Sequence, residues 1–277
     1  MTATITSISA SIGVQVCGLT SSDFVTSAAA EQCRRLLADH GVVVYREAHI
    51  SDADLVTFSR MLGEVVVAAV GGHHDYPEIS PVTMDPSKSA LAGLRRSTIF
   101  WHADGLIDAV PQKATLLTAR EVADDGGDTE FANTYAAYEA LSDEKKAELG
   151  NYRVVHSVAA SQLLLNPDPT PEERAKWNRA PSREHPLVWT HRDGRKSLLI
   201  GATAGEIVGL DREESRAILD GVLAWATQAQ FVLHHTWKVG DLVVWDNTGM
   251  LHRALPFEPT SVRLMHRTTL VGEEAIA

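Results

Sequence analysis

A chain of 277 residues with 44% apolar and 22% charged residues has the composition of an ordinary globular protein, long enough to bury a sizeable core. Thirty-six acidic against twenty-five basic residues leave a net charge of −11, which opposes binding to phosphate backbones and anionic lipid. No apolar run reaches bilayer-spanning length, the start lacks a secretory signal pattern, and Cys17 and Cys33 form no clustered motif. These features predict a cytoplasmic protein with no nucleic-acid or membrane partner, its two cysteines serving as small apolar residues.

The opening reads as strand, helix, strand, helix: "IGVQV" at 12–16, a helical stretch ending in "RRLLADHG", "VVVY" at 42–45, then "SDADLVTFSRMLG", capped by Ser51 and closed by Gly63. Gly, His, Pro and Asp dominate from there to residue 96, predicting a loop-rich rim. "FWHADGL", residues 100–106, is short and breaks at Gly105, so it reads as a strand. "KATLLTARE" reads as the next strand, "ADDGGD" as a turn, and residues 133–149 as a helical stretch. Prolines and charges over 159–184 mark a lid or surface insertion. The second half returns to strands, "HPLVWTH", "RKSLLIG", "FVLHHTW", "DLVVWD" and "VRLMHRTTLV", interrupted by one helix over about 211–229. No repeat or linker divides the chain, so residues 1–277 are expected to form a single domain. Its predicted class is mainly β with flanking helices around a jelly-roll (double-stranded β-helix) core.

Alternation along a strand puts His102 and Asp104 on one wall, with Ala103 on the other. A third ligand-type residue, His252, stands in "WDNTGMLHRALPF". Two imidazoles and a carboxylate make up the facial triad that holds non-haem Fe(II) with three positions open. An isolated HxD is a weak signal in a chain with twelve histidines. What strengthens it is the strand after His252, where Arg263, Met265 and Arg267 alternate and both arginines share a face. Arginines turned into a sheet sandwich are costly unless an anion, external or internal, meets them. Four residues of strand separate their roots by roughly 13 Å, too far for one small carboxylate, which implies two anions.

Taken in order, "WHAD", "GGDT", "HPLVWTHRDGRKSLLIG", "GDLVVWDN", "LHRA" and "RLMHRTTL" resemble the TauD/TfdA (taurine dioxygenase / 2,4-D dioxygenase) family of Fe(II)- and 2-oxoglutarate-dependent dioxygenases, over nearly the whole chain. The resemblance implies iron ligation by His102, Asp104 and His252. It implies that Thr129 contacts 2-oxoglutarate through its hydroxyl, that Arg263 pairs with the far carboxylate of 2-oxoglutarate, and that Arg267 meets the acidic group of the substrate. "GGHHDYPEI" resembles the segment that brings a histidine to the substrate, and spacing favours His73 over His74. Trp101, Trp189 and Trp245 read as scaffold aromatics. Two positions depart from the family pattern: Gly105, where a larger residue is common and which is expected to open space near the metal, and Trp189, where an arginine is common.

The implied reaction consumes O2 and 2-oxoglutarate, releases succinate and CO2, and hydroxylates a C–H bond of a small organic anion such as a sulfonate, alkyl sulfate or aryloxy or other carboxylate. A hydroxylated carbon that bears oxygen, nitrogen or sulfur then loses that bond. Halogenation needs the carboxylate ligand replaced, so Asp104 argues against it, and a zinc hydrolase lacks its helical HExxH signature. The alternatives left open are desaturation or epoxidation in secondary metabolism and a non-catalytic sensor that binds metal and 2-oxoglutarate. A homo-oligomer is the family norm.

Overall fold

The computed structural model describes residues 3–67, 71–85, 87–89, 97–258 and 262–277. The first half runs β1 (Thr4–Ser7), β2 (Val14–Cys17), α1 (Ser27–His40), β3 (Val42–Tyr45), α2 (Asp52–Leu62), β4 (Ser80–Val82), β5 (Ala114–Glu121), β6 (Thr129–Asn133), α3 (Thr134–Glu139) and α4 (Asp143–Leu149). The second half runs β7 (Arg153–His156), α5 (Val158–Leu165), α6 (Pro171–Trp177), β8 (Arg183–Pro186), β9 (Val188–Thr190), β10 (Lys196–Leu198), β11 (Ala204–Ile207), α7 (Arg212–Ala226), β12 (Val232–His235), β13 (Leu242–Asp246), β14 (Met250–Ala254) and β15 (Leu264–Thr269). The class is mainly β with several helices.

The runs "VVVY" and "LVVW" become β3 and β13, paired at the centre of a seven-stranded sheet of order β1-β2-β3-β13-β5-β15-β4. They are apolar at every position because both faces are covered. On one face Val43, Tyr45, Leu116, Leu242 and Val244 pack against α1 and α2 through Cys33, Leu55, Phe58 and Leu62. On the other, Val42, Val44, Leu117, Val243, Trp245 and Met265 meet Phe131, Leu233 and Met250 of a three-stranded sheet, β12-β6-β14. The outer face of that smaller sheet, through Ala132 and Leu251, joins a third cluster with α3, α7 and the strands β7, β9, β10 and β11.

Local signals explain the helix ends. Thr26 and Ser51 accept from Ala29 N–H and Asp54 N–H at the starts of α1 and α2, and Gly41, in the left-handed region, ends α1. The helical stretch predicted over 133–149 divides into α3 and α4, because the Ser142 hydroxyl accepts from Lys145 N–H and begins a second helix. The predicted lid segment, 159–184, contains α5 and α6, the latter opened by the capping box Thr170–Glu173. The loop-rich rim expected up to residue 96 falls partly outside the described residues. Cys33 is buried, with its thiol pushed up to about 11 by burial, whereas Cys17 is half-buried.

His156 on β7 is fully buried, with Nδ1 2.9 Å from Thr203 Oγ1. Burial, then the nearby His185, push its pKa from 6.5 down to about 3. As pH falls, the unfolded chain takes up this proton near 6.5 while the folded chain refuses it until about 3. Stability is therefore intact above that window and is lost going down through it, by about 1.4 kcal/mol per pH unit for one such group. The unfolding free energy of the native protein should fall more steeply between about pH 6 and about pH 4.5 than that of His156→Gln. Equal slopes in urea titrations would remove His156 as the cause.

Candidate active site

Residues 100–106 do not form a strand. A single antiparallel bridge joins His102 to His252 on β14, with His102 N–H donating to His252 O at 3.0 Å and His252 N–H donating to His102 O at 2.8 Å. The two rings lie 4.1 Å apart between centroids, and one ligand atom from each of His102, Asp104 and His252 falls within 4.8 Å of the others. Gly105 follows at φ +86°, and a Cβ there would sit 2.8 Å from Gln112 N. It is needed for a close backbone approach; the expectation that it opens space at the metal is corrected accordingly.

The chemistry of these donors suits a divalent cation. His102 Nδ1–H donates to Phe100 O at 2.8 Å, which leaves Nε2 as the basic nitrogen. His252 is buried against Trp245 and Phe131, and its Nδ1 has no hydrogen-bond partner among the described residues. Burial, then His102, push its pKa down to about 3, so it is neutral and keeps its lone pairs at neutral pH. Asp104 Oδ2 is approached by the Thr115 hydroxyl at 3.4 Å and by Arg267 Nη1 at 3.6 Å. Asn247 Nδ2 in turn donates to Thr115 Oγ1 at 2.9 Å. Two imidazoles beside one oriented carboxylate fit Fe(II), a fit supported by the buried His252 nitrogen that has no hydrogen-bond partner among the described residues.

A cavity of about 440 Å³ opens beside the two histidines. Val82, Met84, Ile99, Leu117 and Leu165 form its apolar wall, and Thr129, Arg263 and Arg267 its polar one. Arg263 is only 7% exposed, has no ion pair or hydrogen bond among the described residues, and lies over the Phe257 ring at 5.3 Å. Burial pushes its pKa down to about 10, so it stays a cation at neutral pH. A buried, unpaired guanidinium costs several kcal/mol, roughly, unless an anion joins it. Gly127 makes room for it: a Cβ there would lie 3.1 Å from Arg263 Cδ and Nε. The bulge where β15 pairs with β5 leaves the alternation of β15 intact, and Arg263 and Arg267 line the same cavity.

His73 is not brought to this cavity. Its N–H donates to Ile79 O at 2.8 Å, closing a turn that aims the ring at α2, where Nε2 lies 4.0 Å from Asp52 Oδ2 and the ring 5.4 Å from that of His266. His74 is exposed beside Asp75. Asp52, His73 and His266 form a second group with metal-ligand composition. There, however, Arg120 Nη2 sits 2.5 Å and His266 Nδ1 2.7 Å from Asp52 Oδ1. Burial would raise the Asp52 pKa, but its contacts with His266 and Arg120 hold it below the ordinary value, so the carboxylate already has its cation. Thr115, in no quoted motif, and Asn247, within "GDLVVWDN" but given no role there, escape the reading of the sequence, and Trp245, expected as scaffold, lines the cavity. Trp101 and Trp189 are buried in the core, away from it.

The chain is similar to known proteins over nearly its whole length. The taurine catabolism dioxygenase TauD, TfdA family matches residues 4–269. An alpha-ketoglutarate-dependent 2,4-dichlorophenoxyacetate dioxygenase of Cupriavidus pinatubonensis is 34% identical over 259 residues, covering 88% of this chain and 89% of the relative. An alpha-ketoglutarate-dependent sulfate ester dioxygenase of Pseudomonas putida is 27% identical, covering 95% and 87%. The crystal structure of AAD-2 in complex with Mn(II) and N-oxalylglycine superposes with a TM-score of 0.82 at 30% identity, covering all of both chains. The chain belongs to the TauD, TfdA dioxygenase family. It is a 2-oxoglutarate-dependent non-haem iron dioxygenase.

Removing the Thr115 hydroxyl takes away a group that approaches Asp104 Oδ2 at 3.4 Å. Thr115→Val should weaken Fe(II) binding roughly tenfold, and Asp104→Ala should abolish it, as read by calorimetry under anaerobic conditions. Unchanged affinity in Thr115→Val would show that Asp104 needs no such support.

Proposed function

We propose that this chain hydroxylates a C–H bond of a small, largely apolar monoanion. In this reading His102, Asp104 and His252 hold Fe(II), Arg263 and Thr129 hold the far carboxylate of 2-oxoglutarate, and Arg267 meets the acid group of the substrate. Fe(II), 2-oxoglutarate and O2 together supply the oxidative decarboxylation to succinate and CO2 and the oxidising power for the C–H bond. The observation that carries the reading is Arg263, a buried cation with no protein partner among the described residues, in the cavity that His102 and His252 line.

The protein contributes placement and exclusion of water. A charge-assisted contact to Arg263 fixes one end of the co-substrate, and its value rises in a site with few competing waters. The substrate wall of Val82, Met84, Ile99, Leu117 and Leu165 offers apolar contact, and among the described residues no carboxylate lines the cavity to meet an ammonium group. An aryloxy acid or alkyl sulfate therefore suits it better than an amino-sulfonate such as taurine. Where the attacked carbon bears oxygen, its hydroxylated product breaks the C–O bond. The larger sheet and the sheet β12-β6-β14 are read as the two walls of a double-stranded β-helix, a reading supported by cavity residues drawn from both. Helices α5 and α6 are read as a lid, supported by Leu165 at the cavity wall.

Succinate formation with Fe(II), ascorbate, O2 and 2-oxoglutarate tests the reading across phenoxyacetates, alkyl sulfates, sulfonates and amino acids. Phenoxyacetates or alkyl sulfates should give the highest kcat/KM. A preference for taurine, or no coupled turnover with any acid, would refute it. Arg267→Ala should raise the substrate KM roughly tenfold or more while the 2-oxoglutarate KM stays within about threefold. The reverse pattern would exchange the roles of the two arginines.

A further inference from the structure

Thr129 begins β6 and is paired across the sheet with His235 on β12. Two residues further on, the Trp237 indole Nε1–H donates to Thr129 Oγ1 at 2.9 Å, and both residues are buried. An indole N–H can only donate, so it fills one of the two acceptor positions of the hydroxyl. The single hydrogen of Thr129 must then point elsewhere, and no protein acceptor takes it among the described residues. Thr129 lines the cavity that also holds Arg263. Trp237 is itself held in place: its ring stands edge-on to His235 at 4.4 Å between centroids, and His235 Nε2 lies 3.4 Å from Asp241 Oδ2. Asp241 is anchored by Arg46 Nη1 at 2.8 Å and by the backbone N–H groups of Glu47 and Lys238, each at 2.9 Å.

We propose that Trp237 is a positioning residue for the co-substrate: by occupying the acceptor side of the Thr129 hydroxyl, it commits that hydroxyl to donate toward the anion end of the cavity beside Arg263. This rests on the reading that Thr129 and Arg263 meet the far carboxylate of 2-oxoglutarate. Without the indole, the hydroxyl is free to turn and spend its hydrogen on a nearby carbonyl. The role is confined to the far carboxylate, so it is invisible to an oxo acid that lacks one.

The test measures binding without turnover, by anaerobic calorimetry on the Fe(II)-loaded protein, with 2-oxoglutarate and with 2-oxobutyrate, which keeps the 2-oxo acid end and lacks the second carboxylate. Trp237→Phe should weaken 2-oxoglutarate roughly three- to tenfold and leave 2-oxobutyrate within about twofold. Thr129→Val should weaken 2-oxoglutarate at least as much, and the double variant should bind it no worse than Thr129→Val alone. Equal losses for the two oxo acids in Trp237→Phe, or additive losses in the double variant, would overturn the role of Trp237. Unchanged 2-oxoglutarate binding in both Thr129→Val and Arg263→Gln would instead overturn the reading beneath it. Should Trp237→Phe fold poorly, proton spectra of the zinc-loaded protein decide the matter. One indole N–H resonance should move in Thr129→Val and, in the unmutated chain, on adding 2-oxoglutarate but not 2-oxobutyrate. Absence of such a resonance would refute the proposal.

Discussion

The site depends on one reciprocal pair of backbone hydrogen bonds, between His102 and His252. These residues are far apart in sequence, and neither stretch alone fixes a geometry for its imidazole. The bridge sets the two rings 4.1 Å apart and, through the tight turn at Gly105, brings Asp104 to the same place. Because β14 is hydrogen-bonded to β6 along its length, the second histidine is carried by a sheet whose other members are fixed by packing. The first, on an irregular segment, takes its position from that sheet.

Around this bridge the charges are arranged by burial. His252 is kept neutral by an apolar surrounding of Trp245 and Phe131, which preserves it as a donor to a metal. Arg263 stays charged although burial lowers its pKa to about 10, and it has no ion pair or hydrogen bond among the described residues, which leaves it open to an anion. Arg267 is divided between Asp104 and the cavity, with Nε buried and without a hydrogen-bond partner among the described residues. The proposed roles of the three groups, metal ligand, anchor for the oxo acid and contact for the substrate acid, rest on this arrangement.

Much of this was legible in the sequence because the residues concerned carry either a motif or a periodicity. The HxD pair, His252 and the alternation of Arg263, Met265 and Arg267 point to a cation and two anions on residue type and spacing alone. The apolar runs at 42–45 and 242–245 likewise mark strands. The failures share a cause, which is that they depend on tertiary partners. Residues 100–106 have strand-like spacing, yet their one bridge partner is 150 residues away in His252. His73 sits in a stretch of family-like sequence, but the turn closed by its N–H and Ile79 O aims its ring at α2. Thr115, Asn247 and Trp237 act by hydrogen-bonding a neighbour, and a lone Thr, Asn or Trp shows nothing of that in one dimension.

The wall residue Leu165 belongs to α5, which packs against β11 and α6 and lies outside both sheets described above as flanking the cavity. Met84 and Ile99 likewise come from outside regular strands. Part of the cavity wall is thus carried by segments outside the two sheets, while Val82, Leu117, Thr129, His252 and Arg267 stand on strands within them. Substitutions at Met84, Ile99 and Leu165 can therefore reshape the cavity without altering a residue of either sheet.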